Sequence, residues 1–199
     1  MKMKIEFNQN GNGPLQIQVL KAIAGDFENQ SMVDLCCGST PQTGLINFKE
    51  KEFVDCVDRE LTGGATLIVS DVIDYLKSNK KHFDVSISTD TIEHFRDNDA
   101  NVFLDLTSKI SKKQIWFTPL GEYCMTKDPN DNNPDSHKSE WTPEKLELRN
   151  PNYWAFVVFP NWHPTLGNNG LGAFFFWHCD NIAEDAKRVE NELNQLLKN

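Results

Sequence analysis

Four groups of polar residues follow apolar runs in the first half of the chain, and each could do chemistry. The run MVDLCCGSTP, Met32 to Pro41, carries Asp34, Cys36, Cys37 and Gly38. A buried strand feeding a helix through a glycine turn offers backbone N–H groups to a dinucleotide or adenosyl ligand, and Gly38 lets that ligand approach closely. Asp58 follows FVDCV, 24 positions after Asp34. A carboxylate there can accept both hydroxyls of a ribose. Asp71 follows ATLIVS, where it can cap the next helix or accept a hydrogen bond from an adenine amino group. The stretch SISTDTIEHF, Ser86 to Phe95, sets Thr89, Asp90, Glu93 and His94 beyond another apolar run. His94 can act as a general base or hold its loop by a hydrogen bond. Each group also has a plain reading: a turn, a solvated carboxylate, a cap, a loop histidine. All four fall at carboxyl ends of successive strands, which is where open α/β sheets bind ligands.

The elements that must position these residues alternate. Helical spacing over Leu15 to Phe27 puts Leu15, Val19, Ala22 and Ile23 on one face after Pro14. Met32 to Leu35, Phe53 to Val57, Ala65 to Val69, Phe83 to Ser88 and Gln114 to Thr118 read as strands. Thr40 and Pro41 read as an N-cap and first helical position, with Leu45 and Phe48 continuing that helix. Gly63 and Gly64 mark a turn, and Asp71 to Lys77 reads as a short helix. Asn98 to Ile110 reads as an amphipathic helix facing inward through Val102, Phe103, Leu106 and Ile110. Repeated β-α units with such crossovers build a parallel sheet.

The pattern then changes. EYCMTKDPNDNNPDSHKSEW, Glu122 to Trp141, is polar and long for a connector, so 122–150 is expected to be a lid or substrate loop. In it His137, Ser139 and Trp141 could close over a substrate, and His137 joins His94 as a candidate catalytic residue. Ala155 to Phe159 and Leu171 to Trp177 have no helix between them and should form an antiparallel hairpin. A last helix, Ile182 to Lys198, turns Ile182, Ala186, Val189, Leu193 and Leu196 inward. The expected architecture is one domain, residues 1–199: an α/β, Rossmann-like three-layer sandwich with a seven-stranded, mostly parallel sheet and one antiparallel strand.

Composition narrows the partners. A net charge of −9 with few Lys/Arg clusters makes nucleic acid an unlikely partner and leaves a small molecule. Five cysteines without a CxxC pair favour a reducing, cytoplasmic setting over a disulfide framework. Cys36 and Cys37 read as small buried apolar residues in preference to thiolates. The spacing of Cys124, His163, His178 and Cys179 matches no zinc pattern, so no metal site is expected. The start MKMKIEFNQNGNGP lacks the apolar run of a signal peptide, and no stretch nears the roughly 18 apolar residues of a membrane span.

With these residues in view, the chain resembles the class I S-adenosylmethionine-dependent methyltransferases from about Met32 to Trp177. VDLCCGST is similar to that family's first motif, FVDCVDREL to the second, VSDVIDYL to the third and FDVSISTDTIEHF to the fourth. FTPLGEY followed by HKSEWTPEKL is similar to a subset of bacterial and phage methyltransferase-like proteins. Glycine is usual in the family where Cys36 and Thr40 stand here. The resemblance implies S-adenosylmethionine as cofactor: Asp34, Cys36 and Gly38 around its amino-acid part, Asp58 at the ribose, Asp71 at the adenine, and Thr89 and Asp90 along its edge. It implies methyl transfer to an acceptor. The alternative is a methyltransferase fold kept as a binding or assembly module without catalysis, and a nicotinamide dehydrogenase is a more distant third.

Overall fold

The computed structural model describes residues 3–7, 13–39, 41–61, 66–121, 126, 128, 130–149, 155–159, 172–178 and 182–198. The readings placed on Thr40, Gly63, Gly64, Cys124, His163 and Cys179 lie outside the described residues, as does the side chain of His178.

Short apolar runs become strands because their side chains find helices on both faces. In chain order these are β1 (Met3–Glu6), β2 (Ser31–Leu35), β3 (Glu50–Asp55), β4 (Leu67–Val69), β5 (Phe83–Thr89), β6 (Ser111–Pro119), β7 (Ala155–Phe159) and β8 (Gly172–His178). They form one eight-stranded sheet in the order β1-β7-β8-β6-β5-β2-β3-β4. The pairs β1–β7, β6–β5, β5–β2, β2–β3 and β3–β4 are parallel, and β8 runs antiparallel to both β6 and β7. The sequence pattern predicts seven strands. The eighth is β1, whose run MKIEF alternates, with Ile5 and Phe7 buried and Glu6 exposed. That period of two was legible in the sequence.

The helices are α1 (Gly13–Ala24), α2 (Val72–Ser78), α3 (Asp97–Ile110), α4 (Pro143–Arg149) and α5 (Ile182–Leu196). No described helix is long and apolar enough to cross a membrane. One core cluster joins Val19, Leu20, Ile23, Val189 and Leu193 of α1 and α5 to Met32, Phe53, Ile87 and Ile115 of the sheet. The other joins Val72, Leu76, Phe103 and Leu104 of α2 and α3 to Val33, Val54 and Trp116. Neighbours along a strand thus enter opposite layers, as the pleat requires.

Helix ends follow local chemistry. Helix α1 stops at Ala24, short of the Phe27 expected, because Gly25 takes φ +85° and closes on the Lys21 carbonyl at 3.0 Å. The Lys113 ammonium donates to the Ile23 and Ala24 carbonyls and pairs with Asp185 at 2.7 Å, while Arg188 donates to the Ala22 and Ile23 carbonyls. Two cations from β6 and α5 thereby satisfy the last carbonyls of α1. On α3 the inward face is Ala100, Phe103, Leu104, Thr107 and Ile110. Val102, expected inside, is 42 % exposed. The buried stripe is rotated toward the small residues Ala100 and Thr107.

The largest departure follows β2. No α-helix forms there, only a 3-10 turn over Gln42–Leu45. Thr43 donates its hydroxyl to the buried Asp34 carboxylate and draws the turn beneath the strand. Leu45 faces out at 66 % exposure, whereas Ile46 and Phe48 are buried. Leu45 and Phe48 therefore do not share a helical face.

Candidate functional site

A cavity of about 650 Å³ opens over the carboxyl ends of β2, β3, β4 and β5. The chain leaves β2 toward β3 on one side and returns to β5 on the other, so this is the sheet's topological switch point. Cys36, Gly38, Asp55, Asp71, Asp90 and His94 reach it from the strand ends, and Asp131, Asn132, Pro134, Asp135 and Lys138 wall its outer side.

Strand β3 ends at Asp55, not Val57. The Asp55 carboxylate accepts from the Gly38 N–H at 2.9 Å, the Val57 N–H at 3.0 Å and the Arg59 guanidinium at 3.3 Å. This draws the chain back on itself. Asp58 is consequently exposed and does not line the cavity, so the acidic residue that the second strand delivers is Asp55. The residue-by-residue pairing of β3 with β2, Asp34 opposite Phe53 and Leu35 opposite Val54, puts Asp55 level with the loop after β2. Spacing alone does not carry that register.

Gly38 takes φ +67°, and a Cβ built there would meet nothing within 4 Å. Its missing side chain leaves open space. Cys36 also takes a positive φ of 61° and lines the cavity. The backbone thus keeps a glycine-like shape while carrying a Cβ, at a cost of order 1–3 kcal/mol. Burial pushes the Cys36 thiol well above its usual range and, with Asp34 beside it, the Cys37 thiol up to about 12. Neither is a thiolate at neutral pH, and no helix N-terminus follows to make one.

Asp34 does not face the cavity. It is 2 % exposed, its Oδ2 accepts from Thr43, and its Oδ1 has no hydrogen-bond partner among the described residues. Burial pushes its carboxyl up to about 7. Asp71 lines the cavity and also caps α2, accepting from the Ile73 and Asp74 N–H groups at 2.9 and 3.1 Å. Both readings of that residue hold together. Thr89 closes β5 opposite Phe117 and does not line the cavity. Asp90 lines it at φ +51°, its N–H on the Phe117 carbonyl at 2.9 Å.

Beyond Asp90 lies a buried polar knot that brings the expected candidates Glu93, His94 and His137 together, a meeting that spacing does not reveal. Glu93 is 2 % exposed; its Oε2 accepts from Thr118 at 2.9 Å, and its Oε1 has no hydrogen-bond partner among the described residues. Burial raises the Glu93 carboxyl, and the neighbouring Asp90 raises it further. The His94 Nδ1 lies 3.3 Å from the Ser136 carbonyl, which can only accept, so Nδ1 carries the proton. The His94 and His137 rings meet edge to face at 4.8 Å. One ligand atom each of Glu93, His94 and His137 lies within 4.8 Å of the others. Burial lowers the His94 pKa, and His137 adds to that.

The loop expected to be a lid is fastened along its second half. The Lys138 and Ser139 N–H groups donate to the Glu93 carbonyl, Ser139 Oγ to the Ile92 carbonyl, and the Trp141 indole to Ser139 Oγ. Gly121 and Trp141 bridge the loop's base. Ser139 and Trp141 are buried and serve as anchors, so they do not close over a substrate; His137 packs behind His94 and does not line the cavity.

No protein-family model matches the chain, and no curated protein does. Solved structures share its fold. A S-adenosylmethionine-dependent methyltransferase from Archaeoglobus fulgidus superposes with a TM-score of 0.57 at 16 % identity, covering 83 % of this chain and 94 % of its own. The 1,6-didemethyltoxoflavin-N1-methyltransferase of Burkholderia thailandensis, solved with S-adenosylhomocysteine, gives 0.56 at 12 %, covering 81 % and 79 %. The methyltransferase domain of bacterial CtHen1 gives 0.56 at 15 %, covering 84 % and 100 %.

Proposed function

From a chain folded as the class I methyltransferases are, we propose that it binds S-adenosylmethionine over β2, β3 and β4 and transfers the methyl group to a small acceptor beside His94. The observation that carries this reading is the convergence of Gly38, Asp55 and Asp71 on one cavity at the switch point. Its volume of about 650 Å³ suits a ligand of nucleoside size. The open space over Gly38 receives the amino-acid part. Asp55 keeps acceptor capacity on Oδ2 for a ribose hydroxyl, and Asp71 with Val72 and Ile73 meets the adenine.

The bound sulfonium supplies an already activated methyl group. The chain's task is to align an acceptor and exclude water. The segment from Asp131 to Lys138 covers the outer side, and His94 orients the acceptor with an Nε2 lone pair left free of protons by the Ser136 bond. The cavity wall holds six carboxylates against the cations of Arg59, Arg96 and Lys138. That balance repels a phosphate backbone and favours a neutral or cationic small acceptor. The cysteine usage fits a reducing, cytoplasmic compartment.

One feature favours a second reading, a non-catalytic binding module: the α-helix after β2 is replaced by a 3-10 turn, so no helix N-terminus faces the cofactor's tail. Calorimetry with S-adenosylmethionine and with NAD decides. Binding of the first alone, with slow release of S-adenosylhomocysteine, supports the transferase. Binding of neither supports the module, and binding of NAD alone supports a dehydrogenase.

A further inference from the structure

The knot at Glu93 contains an arrangement that protein atoms leave incomplete. His94 gives its Nδ1–H to the Ser136 carbonyl at 3.3 Å. Its Nε2 therefore carries a lone pair, and it faces Glu93 Oε1 across 3.9 Å, too far for a hydrogen bond. That oxygen is buried and has no other hydrogen-bond partner among the described residues, while Oε2 is held in place by Thr118. The His94 lone pair thus faces the buried Glu93 oxygen, and the His137 ring stands edge-on to the His94 ring. A buried acceptor without a donor is destabilising. A cation among these atoms removes that cost.

We propose that Glu93, His94 and His137 bind a divalent transition-metal ion of the Mn²⁺-to-Zn²⁺ series. Two imidazoles and one carboxylate make a donor set for Mn²⁺, Fe²⁺, Co²⁺ or Zn²⁺ and a poor one for Ca²⁺ or Mg²⁺, which prefer oxygen. The three ligand atoms lie within 4.8 Å of one another, a spread that small side-chain rotations bring to coordination distance. The surroundings are those of an oriented site. A backbone carbonyl sets the His94 tautomer and a hydroxyl anchors the carboxylate, the kind of outer support that metal ligands receive. The Glu93 carbonyl fixes the Lys138 and Ser139 N–H groups at 2.7 and 3.0 Å, which holds His137 against His94. Because two ligands adjoin one clamp and the third comes from the loop that clamp fastens, the site is assembled by the fold and not by spacing.

His94 also lines the cavity, and Asp90 on the same turn offers a further oxygen there. A bound ion takes the His94 Nε2 lone pair, so in the metal-loaded chain the ion replaces the imidazole as the group that meets the acceptor, as a Lewis acid for an oxygen-bearing one. That last role rests on the methyl-transfer reading; binding of the ion does not.

The test uses the full chain, without a histidine tag and stripped by chelator, titrated with Co²⁺. The expected result is one Co²⁺ per chain with visible ligand-field bands. His94→Ala and His137→Ala should each weaken uptake at least ~100-fold, since even outer partners of metal ligands contribute 10–100-fold. Failure to take up Co²⁺, or uptake unchanged in both histidine variants, overturns the proposal. Circular dichroism checks that each variant is folded, and His137, at the rim of the site, is the milder of the two changes. S-adenosylmethionine binding is measured in parallel on the metal-free chain. Cofactor binding without Co²⁺ uptake refutes the metal site alone, and Co²⁺ uptake without cofactor binding refutes the methyl-transfer reading alone.

Discussion

The Gly38 N–H donates to Asp55 Oδ2 at 2.9 Å, tying the loop after β2 to the end of β3. The same carboxylate holds Val57 and Arg59 through Oδ1. One side chain therefore shapes the floor of the cavity and turns Asp58 away from it.

Asp55→Asn should weaken S-adenosylmethionine binding about 10- to 100-fold, because it replaces charge-assisted hydrogen bonds worth roughly 1.5–3 kcal/mol. Asp58→Ala should leave the dissociation constant within about twofold, since no cavity contact is lost. Calorimetry on both variants checks this. The opposite order would return the ribose role to Asp58.

Cys36 bears a Cβ at φ +61°. Cys36→Gly should leave stability equal or raise it by up to about 1 kcal/mol, relief of strain offsetting the entropy of glycine. Cys36→Val should lose about 1–3 kcal/mol, as a β-branched residue fits this region worst. Urea unfolding of the two variants measures both effects. A more stable valine variant would show that the loop relaxes to negative φ.

Asp34 introduces a pH dependence of known sign. Its carboxyl is raised to about 7 by burial, with the Asp55 charge adding to it and the Thr43 hydroxyl opposing. A raised folded-state pKa stabilises the fold below the unfolded value near 3.9. That contribution is lost as pH rises from there through about 7. Between pH 4 and 7 the wild type should lose stability relative to Asp34→Asn, by at most about 1.4 kcal/mol per pH unit. Parallel stability curves for the two proteins would mean that Asp34 keeps an ordinary pKa.

Trp141 is buried and anchors the loop through Ser139. Trp141→Ala should destabilise the protein by about 3–5 kcal/mol and hasten cleavage near Asp131 to Asp135 in limited proteolysis. In the wild type, bound ligand should slow cleavage there, because these residues wall the cavity. Equal cleavage rates in wild type and variant would separate the loop from its anchor.

Periodicity and punctuation were enough for the α/β class, the parallel core of the sheet, the hairpin-like pairing of β7 with β8, and the placing of Gly38, Asp71, Asp90 and His94 over strand ends. Such features are local: a pleat repeats every two residues, a helix face every three to four, and a cap lies next to what it caps. Three other features were decided by distant contacts. Thr43 reaches Asp34, and a 3-10 turn stands where local signals favoured a helix. The register of β3 on β2 ends the strand at Asp55 and leaves Asp58 in solvent. The Glu93 carbonyl captures a loop more than forty residues away and sets His137 against His94. A residue's neighbours across a sheet or loop depend on where several chain segments end up together, and no window of sequence contains that information.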